Sequence, residues 1–269
     1  MSFSKLFPIF TYESMIRSII IIENNGAVKV LILITILLSL SAFNIVLGEP
    51  IKMACNHFPP LKIENPIDGH LGFDVEVLKH VFQQTNLNLN IEFLPWKRAL
   101  LKAKTGEFDG LCSCSFNKER SEEFYFSDEI GRNSIGFFSL NELPFKKLEE
   151  YKDLKIGVVR GYTLEQELIK VGIKPIAHSN ELNLLKMLEL KRIDAIYSFR
   201  VVIRELKKDY KFIEDFNYRE IYSAPYFTCF SKAKPNSKKN VEVFNEKLNS
   251  FKNNSDYAKL KLKYGLNSE

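Results

Sequence analysis

Residues 112–128 read CSCSFNKERSEEFYFSD, and Arg120 stands where an alternating apolar stretch gives way to a charged cluster. A guanidinium at that junction has two uses. It can pair with Glu119, Glu122 or Glu123 on a solvated helix face. Alternatively, its planar fork can hold a carboxylate through two parallel charge-assisted bonds. Further along, Gly161-Tyr162-Thr163 turns into the run LEQELIKVG. The first turn of a helix carries free backbone N–H groups, which suit an anion. The sequence contains no GxSxG, HExxH, P-loop or paired-carboxylate motif. Cys112 and Cys114 lack the second pair and the histidines that a zinc framework needs. No metal and no cofactor is expected.

The elements that must position these residues alternate. IKMACNHF is a strand stopped by Phe58-Pro59-Pro60, and Asp68-Gly69 marks a turn. GFDVEVLKHVFQQT is a helix with Val75, Leu78, Val81 and Phe82 on its apolar face and Asp74 placed as its cap. LNIEFL is a second strand. Pro95 opens the helix WKRALLKAKTGEF, with Gly106 near its end, and FDGLCSCSF is a third strand. This β-α-β-α-β order predicts parallel strands with right-handed crossovers. KIGVV, KPIAHS and IDAIYSF repeat the theme, separated by LEQELIKVG and ELNLLKMLELKR and followed by the helix RVVIRELKKDY. YFTCFSKA reads as a returning strand, and helices close the chain. Two such units predict two α/β lobes, with a ligand cleft beyond the carboxyl ends of their strands.

The four cysteines are Cys55, Cys112, Cys114 and Cys229. On a strand, Cys112 and Cys114 face the same side. They read either as small buried residues or as partners in a disulfide between neighbouring strands, which an exported chain permits. Export is expected because Val28–Leu47 reads VKVLILITILLSLSAFNIVL, an apolar run after Lys29 with cleavage near Gly48. The run is also near the length that spans a bilayer, so an uncleaved anchor is the alternative. The net charge of +5 comes from basic residues scattered among acidic ones. It forms no single-sign stripe for nucleic acid, so no nucleic-acid partner is expected.

Several pieces keep a recognisable order: FPP at 58–60, GFDVEV at 72–77, GEFDG at 106–110, NKER at 117–120, FYFSD at 124–128, LKIGVVRGYT at 154–163, KRIDAIYS at 191–198 and a final YAKLKLKYG. Over residues 51–266 the chain resembles the periplasmic solute-binding proteins of ABC uptake systems, in the polar amino acid-binding branch (family 3). That resemblance implies a two-lobed type II periplasmic-binding fold. Residues 49–140 and 227–269 would form the first lobe and 141–226 the second, after a leader or anchor in 1–48. It also implies a periplasmic monomer that binds a small carboxylate-bearing solute and docks on a membrane permease.

The resemblance gives Arg120 the ligand's α-carboxylate and makes Thr163 a second donor to it from the other lobe. Tyr162 would line the cleft, Ser113 and Ser115 would offer contacts at the strand end, and Phe58 and Trp96 would cover the ligand. Cys55 falls near a position that often carries a polar selector. One departure matters. The family places an acid five residues after the Asp of its Asp-Ala motif, to hold an α-ammonium, whereas here Asp194 is followed by Ala195, Ile196, Tyr197, Ser198 and Phe199. A buried ammonium without a carboxylate is poorly compensated. Ser198 or Phe199 occupies the place of the missing acid, so beside an amino acid or related compound, a carboxylate lacking a free amine or an amine recognised by aromatics fits as well. Asp74, Asp109 and Asp194 read as structural cap or turn residues. Binding without catalysis is the leading function. A cyclohexadienyl dehydratase-like enzyme on the same fold, with His57 as its acid, and a tethered sensor ectodomain are the alternatives.

Overall fold

The computed structural model describes residues 49–143, 147–209 and 215–266, together with Gly26. The apolar run 28–47 and its cleavage site lie outside the described residues. Among the described residues no helix is long and apolar enough to cross a membrane.

The chain alternates as expected. In the first half, β1 (Glu49–Cys55), α1 (Phe73–Gln83), β2 (Leu87–Phe93), α2 (Trp96–Lys104) and β3 (Gly110–Ser115) follow one another. β1 lies between β2 and β3 and is parallel to both, with Cys55 opposite Phe93 and Met53 opposite Gly110. After the short helix α3 (Lys118–Glu123) comes β4 (Phe124–Ser139). The second half contains β5 (Ile156–Val159), α4 (Thr163–Lys170), β6 (Ile176–His178), α5 (Glu181–Glu189), β7 (Ala195–Phe199) and α6 (Arg200–Asp209). Here β5 lies between β6 and β7 and is parallel to both. The chain then returns on β8 (Asn217–Ser231) and ends with α7 (Ser237–Lys252) and α8 (Ser255–Lys263).

One eight-stranded sheet results, in the order β2-β1-β3-β8-β4-β7-β5-β6. Its middle is an antiparallel pair of long strands, β4 with 16 residues and β8 with 15. At the usual rise each is roughly 50 Å long, enough to run from the first parallel set to the second. Register shifts after Phe126, Glu129 and Ile135 bend the pair and raise its twist. β8 begins at Asn217, well before the YFTCFSKA stretch that predicts it, and the continuous strand β4 carries no clean period-two signal. Both differences have one cause: bulges interrupt the alternation by which strands are recognised.

Two local corrections concern the site. Asp74 does not cap α1. Gly72 is the cap, at φ 100°, and a Cβ there would meet the Leu61 carbonyl at 2.5 Å. Asp74 instead points inward from the first helical turn and is completely buried. The cysteines are bridged, Cys55 to Cys112 and Cys114 to Cys229, with Cα separations of 5.1 and 6.2 Å. These bonds tie β3 to its neighbours on both sides. Asp109 and Asp194 do serve as structural acceptors, taking bonds from the N–H groups of Lys52 and Lys155.

Candidate functional site

Between the two halves lies a narrow cavity of about 40 Å³. Seven of the predicted residues line it: Phe58, Trp96, Ser113, Ser115, Arg120, Tyr162 and Thr163. Arg120 is fixed from its own helix. Asn117 caps α3, its side chain accepting from the Arg120 N–H at 2.7 Å. The side chain then turns inward and is only 7% exposed. One guanidinium nitrogen donates to the Ser115 carbonyl at 2.8 Å and another to the Gly161 carbonyl at 2.9 Å. The group also lies 5.1 Å from the centre of the Trp96 ring. Arg120 joins no ion pair among the described residues, and Glu123 pairs with Lys104 instead. Burial lowers the Arg120 pKa to about 10, against the raising effect of Glu119. The reading of Arg120 as a solvated surface charge is therefore wrong.

Gly161, at φ 82°, makes the turn that brings the second half against the first. A Cβ there would press on Lys97 at 3.0 Å, so the backbone is close because the residue is glycine. Its carbonyl also accepts from the Trp96 indole at 2.8 Å. Trp96 meets Tyr162 edge-on at 5.8 Å, and Phe58 meets Phe199 in the same way at 5.6 Å. Thr163 is buried at the start of α4.

Cys55 and Ser198 are not among the residues lining this cavity. The Cys55 sulfur is bonded to Cys112, so it is not a free polar selector. Ser198 is fully buried, its hydroxyl has no hydrogen-bond partner among the described residues, and the neighbouring Phe199 lines the cavity instead. His57 is exposed and outside the lining; its Nδ1 accepts from the Glu64 N–H at 3.2 Å.

Several site residues escape the sequence reading. The largest omission is Lys62, which lines the cavity and is 5% exposed. A tight turn returns it beside Phe58, with Phe58 N–H donating to the Lys62 carbonyl at 2.8 Å. Its Nζ sits 5.0 Å from the centre of the Phe58 ring and donates to Ser113 Oγ at 2.7 Å. Ser113 in turn donates to Asp74 Oδ2 at 2.6 Å, and Tyr226 donates to Asp74 Oδ1 at 3.0 Å. Burial lowers the Lys62 pKa to about 8, with Asp74 and Glu181 opposing it. Burial raises Asp74 to about 6, chiefly against Lys62.

On the other side Tyr162 donates to Glu181 Oε1 at 2.8 Å and accepts from Asn56 at 3.4 Å. Glu181, 2% exposed, is pushed up to about 7 by burial, with the Tyr162 bond opposing. The one signal for Lys62 is its place four residues after Phe58 in a Pro-Pro turn. Asp74 and Glu181 carry no local sign of burial.

The model of one protein family, the bacterial extracellular solute-binding proteins, family 3, matches residues 51–267. The chain belongs to that family. An arginine-binding periplasmic protein of Mannheimia haemolytica is 24% identical over 76% of this chain and 85% of its own length. Solved structures of other proteins share the fold. A histidine kinase sensor domain similar to periplasmic binding proteins has a TM-score of 0.73 at 15% identity, over 81% of this chain and 96% of that one. An ancestral arginine-binding protein bound to arginine has a TM-score of 0.69 at 19% identity, over 81% and 99%. The two-lobed type II binding fold, with its cleft between α/β lobes, follows from these likenesses and from the sheet order.

Proposed function

We propose that this family 3 protein is the extracytoplasmic solute-binding component of an ABC uptake system and binds a small carboxylate-bearing solute between its lobes. In this reading 49–140 with 227–269 form the first lobe and 141–226 the second, joined by β4 and β8. The protein works as a periplasmic monomer after export on the apolar run, and it delivers its solute to a membrane permease. It is a binding protein and not an enzyme.

The observation that carries the proposal is the setting of Arg120. The guanidinium is buried in the cavity, rests on a carbonyl from each lobe, and keeps donors beyond those two bonds. Phe58 and Trp96 supply the cover, Tyr162 the second-lobe wall, and Thr163 with the start of α4 a further donor. Ser113 and Ser115 set the floor at the end of β3. Ser198 has no part in contacting the solute, and neither does Cys55.

The test is calorimetric titration of the protein with carboxylate solutes, with and without Arg120→Ala. Truncating a buried charge partner costs roughly 2 to 5 kcal/mol, which is roughly 30-fold to several-thousand-fold in affinity. A carboxylate ligand whose affinity is the same in both proteins would remove Arg120 from the site and with it this reading.

A further inference from the structure

Among the described residues two ionisable cations line the cavity, Arg120 and Lys62, and no aspartate or glutamate does. The nearby carboxylates sit behind the wall. Asp74 has one oxygen taken by Ser113 and the other by Tyr226. Glu181 lies behind Tyr162, whose hydroxyl it accepts.

Both cations keep donors to spare. Lys62 spends one N–H on Ser113, and an ammonium has three. Arg120 spends two on carbonyls, and a guanidinium has five. Their anchors, Ser113 Oγ and the Ser115 carbonyl, are two residues apart on β3, roughly 7 Å along the strand. Two cations anchored at one strand end can each take one acid of a short aliphatic chain that carries an acid at either end. A solute with an ammonium or guanidinium group would instead bring a third positive charge between two buried ones, with no carboxylate in the lining to answer it.

We propose that the solute is a small dicarboxylate without an ammonium group, one carboxylate held by Arg120 and the other by Lys62. The inference rests on the carboxylate reading of Arg120 and names the chemistry of the opposite end. Lys62 is then the residue that sets specificity.

The experiment is calorimetric titration of the full chain with succinate, glutarate, L-glutamate, L-glutamine, L-arginine and propionate, repeated with Lys62→Met and Lys62→Arg. Succinate or glutarate is expected to bind more tightly than any of the three amino acids. Lys62→Met should weaken the dicarboxylate by on the order of 10- to 100-fold, the worth of one charged hydrogen bond. Propionate, which needs only one of the two cations, should lose less than the dicarboxylate, and Lys62→Arg should recover part of the dicarboxylate's loss. The ranking on the unaltered protein decides the matter even where a variant folds poorly.

Tighter binding of L-arginine or L-glutamine than of either dicarboxylate overturns the inference, and so does an unchanged dicarboxylate affinity in Lys62→Met. If the amino acids bind in an Arg120-dependent way, the solute-binding reading survives that failure. If no carboxylate in the panel binds, both fall.

Discussion

Arg120 and Lys62 line one cavity, yet Arg120 rests on peptide carbonyls while Lys62 rests on a serine that hands its bond on to Asp74. The difference follows from the two side chains. A guanidinium is weakly hydrated and keeps its proton when buried, so neutral acceptors suffice. An ammonium is a compact, strongly hydrated charge whose pKa moves readily, and at Lys62 burial lowers it to about 8 while Asp74 and Glu181 oppose the fall. The Arg120 end is thus a fixed positive site. The Lys62 end is a conditional one, set by groups on two other helices, α1 and α5.

The largest expected effect falls on both ends at once, because β3 presents Ser113 to Lys62 and Ser115 to Arg120. Its disulfides close sequence separations of 57 and 115 residues. Loop entropy alone gives about 4 to 5 kcal/mol for each bridge. Replacing Cys55 and Cys112 by serine is expected to lower the midpoint of chemical denaturation and to weaken any bound carboxylate, with the Arg120 and Lys62 contributions falling together. If the variant loses stability but keeps the affinity and Arg120 dependence of the parent, the strand does not need the bridge to hold its two anchors in place.

How much of this arrangement was legible beforehand follows the range of the interactions. The parallel strands and their helices show themselves in local periodicity, and the apolar face of α1 is the one that burial confirms. Arg120, Tyr162 and Phe58 sit in pieces whose order marks the family. Lys62 and Glu181 lie outside those pieces, and Asp74 lies inside one with no sign that it is buried. Each is a charge in a locally ordinary place, and only the closing of the Phe58–Lys62 turn and the docking of α1 and α5 take it out of water. Asp74 at a helix start has the outward form of a cap, but Gly72 takes that role because only glycine fits against the Leu61 carbonyl. The cysteines are similar. Alternation puts them on a strand, but only the neighbours of β3 in the sheet decide that they pair.

A smaller effect sharpens the contrast between the two cations. Glu181 acts on the charge of Lys62 and is absent among the causes that shift Arg120. Its own pKa rises from 4.5 to about 7 on folding. The folded state then binds more protons than the unfolded chain between those values, so this contribution to stability is full below about pH 4.5 and is lost as pH rises through 7. Glu181→Gln is expected to remove that decline, flattening the stability profile by a few kcal/mol across the window. Matched denaturation curves at pH 4.5, 6 and 7.5 measure it. A slope identical to the parent's would mean that Glu181 is ionised throughout and that Lys62 is not the conditional partner described above.

The smallest effect is the most direct separation of the two ends. Between pH 7.5 and 9.5 a dicarboxylate carries its full charge, and Arg120, at about 10, stays mostly protonated. Lys62, at about 8, does not. Above that value binding has to return a proton to Lys62, so dicarboxylate affinity should fall by up to tenfold per pH unit, about 1.4 kcal/mol. Calorimetry at pH 8.5 in two buffers of different ionisation enthalpy should register uptake of roughly three quarters of a proton. In Lys62→Met the affinity should be low and flat over the same range, with no uptake. A monocarboxylate held at Arg120 alone should be flat in both proteins. A parent protein whose dicarboxylate affinity does not change up to pH 9.5 would place Lys62 in the same class as Arg120, a fixed charge, and erase the distinction between the two ends of the cavity.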